Sequence, residues 1–196
     1  MTADQPTLTL IRHGDTEWSL TGRHTGWTDI PLVPSGRRQA ELLGSRLAGR
    51  SFSLVLSSPL SRAFETCRLA GLGDAVVVDA DLREWNYGDL EGLTSDEIRR
   101  LLPGWTIWSG QVPGGETSDE VGQRADRVIA RALSAAGDVA IFAHGHLLRV
   151  LAARWLGLPP DQGALFELGT ATLSQLGWER EGRVIELWNE PPAPTG

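Results

Sequence analysis

The chain has 196 residues, enough for one domain with a core of its own. Its 18 basic and 25 acidic residues leave a formal charge of -7, which argues against a nonspecific nucleic-acid binder, because those present a basic face. No run reaches the roughly 18 apolar residues that a membrane span needs; no basic-then-apolar leader is visible, and the single Cys67 excludes an intrachain disulfide, so a cytoplasmic setting without nucleic acid or membrane as partner is expected.

Leu8-Thr9-Leu10-Ile11 is a short apolar run bounded by turn signals and reads as a buried strand. Ser35 is placed to cap a helix running to about Leu47, with Ala40, Leu43 and Leu47 on one face. Leu54-Val55-Leu56-Ser57 reads as a second strand, helical spacing follows from about Leu60 to Ala70, and Val76-Val77-Val78 is a third strand. Cys67 lies inside that helical spacing with no phosphate-binding loop beside it, and is read as core. Arg83 to Gly92 is loop-like. Thr94-Ser95-Asp96-Glu97 and Thr117-Ser118-Asp119-Glu120 both match the capping box and each opens a helix. On the first, Arg99-Arg100 reads as a solvated face; the second is expected to reach Ala135, with Glu116 in the turn before it. Val139-Ala140-Ile141-Phe142 is another strand, with a helix after it. Ala171 to Trp178 and Arg183 to Trp188 read as late strands joined at Glu181-Gly182, paired antiparallel at least in part. The Pro-rich end, Pro191 to Gly196, reads as a disordered tail, which leaves residues 1–190 as one domain. Strands alternating with helices imply an α/β three-layer sandwich, a mostly parallel central sheet with helices on both faces.

Two of these strands end alike. The first runs into Arg12-His13-Gly14, the fourth into Ala143-His144-Gly145-His146. In open α/β sheets, ligands bind in the crevice at the carboxyl ends of the strands. Two imidazoles far apart in sequence are therefore expected to converge there. Every basic residue is Arg, so any phosphate clamp must use Arg, His or backbone N–H groups.

Arg12-His13-Gly14-Asp15-Thr16, with Glu17-Trp18-Ser19, Gly22 to Asp29 and Pro31 to Gly36, resembles the first block of the histidine phosphatase superfamily, which includes the cofactor-dependent phosphoglycerate mutases. Ser57-Ser58-Pro59-Leu60-Ser61-Arg62-Ala63 is similar to its second block and Leu82 to Gly88 to a third. Gly114-Gly115-Glu116-Thr117 and Ala143-His144-Gly145-His146 complete the set. The blocks occur in order along most of the chain. The resemblance implies that His13 is a nucleophile forming a phosphohistidine and that His144 is a second imidazole stabilising charge on the phosphoryl group. It further implies that Glu84 is the general acid, then the base for water. Arg12 and Arg62 are expected to offer bidentate guanidinium contacts to phosphate oxygens. Ser19, Thr25 and Gly26 are implied substrate-phosphate contacts, although Ser19 and Thr25 can equally cap local turns. His146 is a candidate donor from its place near the phosphate.

A phosphatase acting on a small phosphomonoester, such as a sugar phosphate, fits best. The region around Trp18-Ser19 and Arg23 to Gly26 is most similar to the short acid phosphatase and sugar-bisphosphatase branch. No metal or other cofactor is expected, since arginine and histidine supply the positive charge. A phosphoglycerate mutase is the alternative. It would need cations to hold a carboxylate-bearing acceptor, and the lid-like Gly104 to Gly115 segment carries Trp105, Ile107 and Trp108 instead. Two further readings are a metal-dependent hydrolase built on His13-x-Asp15 and His144-x-His146 and an inactive phosphate-binding module. The first leaves the arginines unexplained; the complete set of His13, His144, Arg12, Arg62 and Glu84 argues against the second. Trp18, Trp27, Trp85, Trp105 and Trp108 either line an apolar wall over the phosphate or simply pack.

Overall fold

A computed structural model describes residues 5–192. Its strands are β1 (Leu8–Arg12), β2 (Leu54–Ser57), β3 (Val76–Val78), β4 (Val139–Ala143), β5 (Leu173–Glu179) and β6 (Gly182–Glu190). They form one sheet in the order β3-β2-β4-β1-β5-β6. The first four in that order run parallel; β5 pairs antiparallel with β1, and β6 antiparallel with β5.

Side-chain alternation along the central strands splits the apolar residues between two cores. β4 sends Val139, Ile141 and Ala143 into one and Ala140 and Phe142 into the other. The first core is closed by α4 (Ser95–Leu101), α5 (Ser118–Leu133) and α6 (Gly145–Trp155), through residues such as Ile98, Val121, Val128, Leu147 and Leu151. The second is closed by α2 (Pro34–Leu47) and α3 (Ser61–Leu69), through Leu43, Leu47 and Cys67. This is the expected sandwich. Strands covered on both faces need apolar residues at every position, and all five residues of β4 are buried.

The capping boxes at Thr94 and Thr117 form as expected, with both reciprocal bonds present. Ser35 does not cap α2. Pro34 occupies the first helical position, where its fixed φ and missing N–H are suited, and Val33 stands at the cap. α5 stops at Leu133, short of Ala135. β5 begins at Leu173 because Ala171 is held at a φ of 53°, outside the strand region. A further helix, α1 (Glu17–Leu20), is capped by Thr16 with Ser19 answering as the third residue. Serine in place of Glu or Gln hides this box from the usual pattern. Of the expected tail, Pro191 and Pro192 are outside any helix or strand, and 193–196 lie outside the described residues.

The loop after β1 is pinned to the start of α2 by backbone contact. A Cβ on Gly14 would overlap the Gly36 carbonyl, and one on Gly36 would overlap the backbone of Asp15. Neither obstacle can rotate away. Gly14→Ala is therefore expected to lower stability by roughly 1–3 kcal/mol, read as a drop in the urea midpoint. Gly137→Ala, whose added methyl meets only the Ser53 side chain at 3.6 Å, should be near neutral. Equal midpoints for the two variants would refute the close approach.

Candidate active site

β1 and β4 are neighbours, with Arg12 opposite Ala143. The next residue of each strand is a histidine, and the His13 N–H donates to the Ala143 carbonyl at 3.1 Å. The two rings lie 5.2 Å apart between centroids, inclined at 60°. Sheet register alone brings them together.

The partners of each ring fix its tautomer. His13 Nδ1 lies 2.7 Å from the Gly14 carbonyl, which can only accept, so Nδ1 carries the proton and Nε2 keeps its lone pair. His144 Nδ1 accepts from Arg62 Nε at 3.2 Å, so the proton sits on Nε2, which donates to Ser58 Oγ at 2.8 Å. Burial, then the Arg62 and Arg12 charges, hold His13 well below the usual imidazole range. Burial, Arg62 and then His13 do the same for His144. Both rings are therefore neutral at neutral pH.

Arg62 is fully buried on the first turn of α3. Its Nη1 donates to the Thr28 carbonyl and its Nη2 to those of Thr25 and Gly26. The open bidentate fork expected of it is thus largely used by the 25–28 loop, because a buried guanidinium must satisfy its donors. Its charge still reaches both imidazoles. Gly26 is needed where it stands, since a Cβ would lie 2.7 Å from the Trp85 carbonyl. Arg12 is the more available cation. Its Nη1 donates to the Leu168 carbonyl, while its buried Nε has no partner among the described residues.

Glu84 is buried, with its carboxyl group at the N-terminus of α6. Its Oε1 accepts from the amides of Trp85 and Leu147, and its Oε2 from that of His146. The loop carrying it is braced from behind by Arg124. That guanidinium donates to the carbonyls of Asp81, Arg83 and Glu84 and pairs in a bidentate manner with Glu116, at 2.8 Å for each bond. Glu116 in turn accepts from the Asn86 amide. Sequence reading placed Glu116 only in a turn and Arg124 only in a helix. An acid and a base eight residues apart, on a turn and the helix it opens, were the available signal.

These groups border a cleft of about 100 Å³. Of the residues marked in the sequence, His13, Arg12, Glu84, Ser19, Thr25 and His146 line it, while Gly26, Arg62 and His144 stand behind the lining. The Ser19 hydroxyl accepts from the Thr16 amide and donates to its carbonyl, and that of Thr25 donates to the Arg23 carbonyl, so both close local turns as well. Four further polar residues line the cleft without having been assigned from sequence: Arg23, His24, Tyr87 and Arg149. Arg149 is one helical turn beyond His146, a spacing that predicts a shared face. The Tyr87 hydroxyl is 2.5 Å from His146 Nδ1. Burial and then Glu84 push that phenol well above its usual range. Burial, Arg149 and His24 push His146 well below the imidazole range.

None of the five tryptophans borders this cleft. Trp85 is core, Trp27 donates to the Glu84 carbonyl, and Trp18 packs on Gly92. Trp105 and Trp108 line a neighbouring cavity instead. Most of the residues that line the cleft are polar. The two ligand pairs considered for a metal also separate. The Asp15 carboxylate is held by Gln39 and Thr170, and no group of three or more His, Cys, Asp or Glu that could hold a metal ion occurs among the described residues.

The family model of the histidine phosphatase superfamily, branch 1, matches residues 8–191. The chain belongs to this superfamily. It is 40% identical over 191 residues to an acid phosphatase of Mycobacterium tuberculosis, covering 94% of each chain. It is 38% identical to a sedoheptulose 1,7-bisphosphatase of Saccharomyces cerevisiae, over 78% of this chain and 68% of that one. Phosphoglycerate mutases are also relatives; that of Cytophaga hutchinsonii is 32% identical over 84% of both chains. Among solved structures, a mycobacterial glucosyl-3-phosphoglycerate phosphatase superposes with a TM-score of 0.85 at 31% identity, covering 94% of this chain and 99% of that one. No helix among the described residues is long and apolar enough to cross a membrane.

The histidine environments set a pH dependence. All four imidazoles are depressed, His24 to about 4 by burial and Arg99. Unfolded, they titrate near 6.5. Below that value the unfolded chain takes up protons that the folded chain refuses, so stability falls as pH drops. The urea midpoint should decrease steadily from about pH 7.5 to about pH 5. A midpoint that rises over this interval would mean that at least one ring is charged in the fold.

Proposed function

We propose that the protein hydrolyses small phosphomonoesters, sugar phosphates among them, through a phosphohistidine on His13. The observation that carries this is the fixed tautomer of His13, whose Nε2 lone pair borders a cleft also lined by Arg12 and Glu84. A neutral imidazole with a free nitrogen is a competent nucleophile at phosphorus. The phosphoryl dianion needs charge neutralisation, which Arg12 and the field of Arg62 supply.

Nε2 attacks phosphorus in line with the ester oxygen. The P–O bond breaks, and the departing alkoxide takes a proton from Glu84. Glu84, now a carboxylate, accepts a proton from water as the resulting hydroxide forms a bond to phosphorus. The P–N bond then breaks, its electron pair returns to Nε2, and inorganic phosphate leaves. His144 presents its Nε2–H to the equatorial oxygens in place of Ser58. Ser19, Thr25 and His146 bind the phosphate as it sits in the cleft. Arg124 and Glu116 keep Glu84 in place without touching the substrate.

Water is the acceptor in this reading. The absence of cations in the Gly104 to Gly115 segment supports it, yet the cleft is not without other cations, since Arg23 and Arg149 reach it from elsewhere in the chain. Both are committed. Arg23 donates to the Gly92 carbonyl and lies 3.7 Å from Glu97; Arg149 donates to the carbonyls of Gly163 and Ala164 and lies over the Trp108 ring. A cytoplasmic setting is part of the same proposal, supported by the lone buried thiol of Cys67, which burial pushes up to about 12.

His13→Ala should abolish phosphate release while leaving the urea midpoint nearly unchanged, and rapid quench of the native protein with labelled substrate should trap an acid-labile phosphoenzyme. Turnover by the folded variant would sink the proposal, and efficient interconversion of 3- and 2-phosphoglycerate with little free phosphate would replace it with a mutase. Glu84→Gln should lose most activity on alkyl phosphates with poor leaving groups and much less on an activated aryl phosphate. Equal losses on both would assign Glu84 a positioning role only.

A further inference from the structure

The tautomer of His13 depends on the Gly14 carbonyl, and a carbonyl keeps its direction only if its peptide plane is held. Both planes that follow His13 are bonded at both ends. In the His13–Gly14 plane, the carbonyl accepts from the Ala171 amide at 2.9 Å and the Gly14 amide donates to Thr66 Oγ1 at 3.2 Å. In the Gly14–Asp15 plane, the carbonyl accepts from His13 Nδ1 and the Asp15 amide donates to Gln39 Oε1 at 2.9 Å. β1 ends at Arg12, so this second plane lies beyond the sheet and is held from α2, which carries Gln39.

The Asp15 side chain joins the two planes. Its Oδ2 accepts from Gln39 Nε2 at 2.9 Å, which makes the contact with Gln39 reciprocal, and its Oδ1 accepts from the Thr170 hydroxyl. Thr170 stands in the 168–172 loop beside Ala171, whose φ of 53° is a costly conformation for a residue with a Cβ. Such backbone persists where its surroundings over-determine it. Here it turns the Ala171 amide toward His13. The same loop supplies the Leu168 carbonyl to Arg12. One loop thus grips the Arg12 guanidinium, the His13 carbonyl and the Asp15 carboxylate. Asp15, Gln39 and Thr170 are each half-buried, so water can replace their bonds and the network adds little to global stability. What it holds is direction.

We propose that Asp15 positions the nucleophile, with Gln39 and Thr170 acting through it. Together they keep the Gly14 carbonyl on His13 Nδ1 and so keep the Nε2 lone pair facing the cleft. None of the three side chains lines the cleft, so they act without touching the substrate. The inference rests on the phosphohistidine reading and names the residues that orient its nucleophile.

Gln39→Met keeps the length of the side chain and removes its amide; Thr170→Val keeps the shape and removes the hydroxyl. In each, rapid quench with p-nitrophenyl phosphate should show phosphoenzyme formation slowed by about ten-fold to about a hundred-fold, the scale of a misplacement of up to about 1 Å. KM and the urea midpoint should stay close to native, and Thr170→Ser should recover most of the rate. Ring-nitrogen NMR of histidine-labelled protein should find His13 protonated on Nδ1 alone in the native chain and partly on Nε2 in the two variants. A native rate of phosphoenzyme formation in either folded variant, a loss that Thr170→Ser leaves in place, or an unchanged tautomer in both variants overturns the positioning role. The tautomer is read without substrate, so it tests this role even if the native protein forms no phosphoenzyme, a result that would overturn the phosphatase reading instead.

Discussion

Parallel pairing of β1 with β4, in the register that sets Arg12 against Ala143, is the constraint on which the site depends. A one-residue slip would invert every side chain of a strand between its two cores. Because both faces of these strands are packed, the register has no freedom. His13 and His144 follow the last paired residues, so their proximity comes from core packing and not from any attraction between the imidazoles.

Positive charge concentrates where the sheet ends. Arg12, Arg62 and Arg149 surround neutral histidines, with Glu84 the only carboxylate among the described residues that line the cleft. Burial opposes their protonation, and Glu84 is the first group to counter it in each case. Such an arrangement is costly without an anion and is improved by a phosphoryl dianion. Burial first, and the same field after it, keep the histidines unprotonated, which leaves a lone pair on His13 Nε2.

The loops that complete the cleft are held by buried arginines instead of by regular structure. Arg62 gathers the 25–28 loop, and Arg124 with Glu116 gathers the loop of Glu84. Each guanidinium supplies several fixed donors to carbonyls that would otherwise be buried and unpaired. A chain whose 18 basic residues are all Arg is suited to this.

The amino-acid sequence by itself determined the strands, two of the three capping boxes and the longer helices, because apolar runs and local cap chemistry are short-range. It also marked His13, His144, Arg12, Arg62 and Glu84, through motif blocks that persist along the chain. Only the tertiary structure decided which of their atoms are available. Arg62 turned out to be a bracket, Arg124 and Glu116 became a brace, and Arg23, His24, Tyr87 and Arg149 joined the cleft from separate segments. It placed the tryptophans outside the cleft lining and set Arg99 on a second cavity. Hydrogen-bond satisfaction and cavity walls depend on residues tens of positions apart meeting in space, and no local pattern records which partner a buried donor will find.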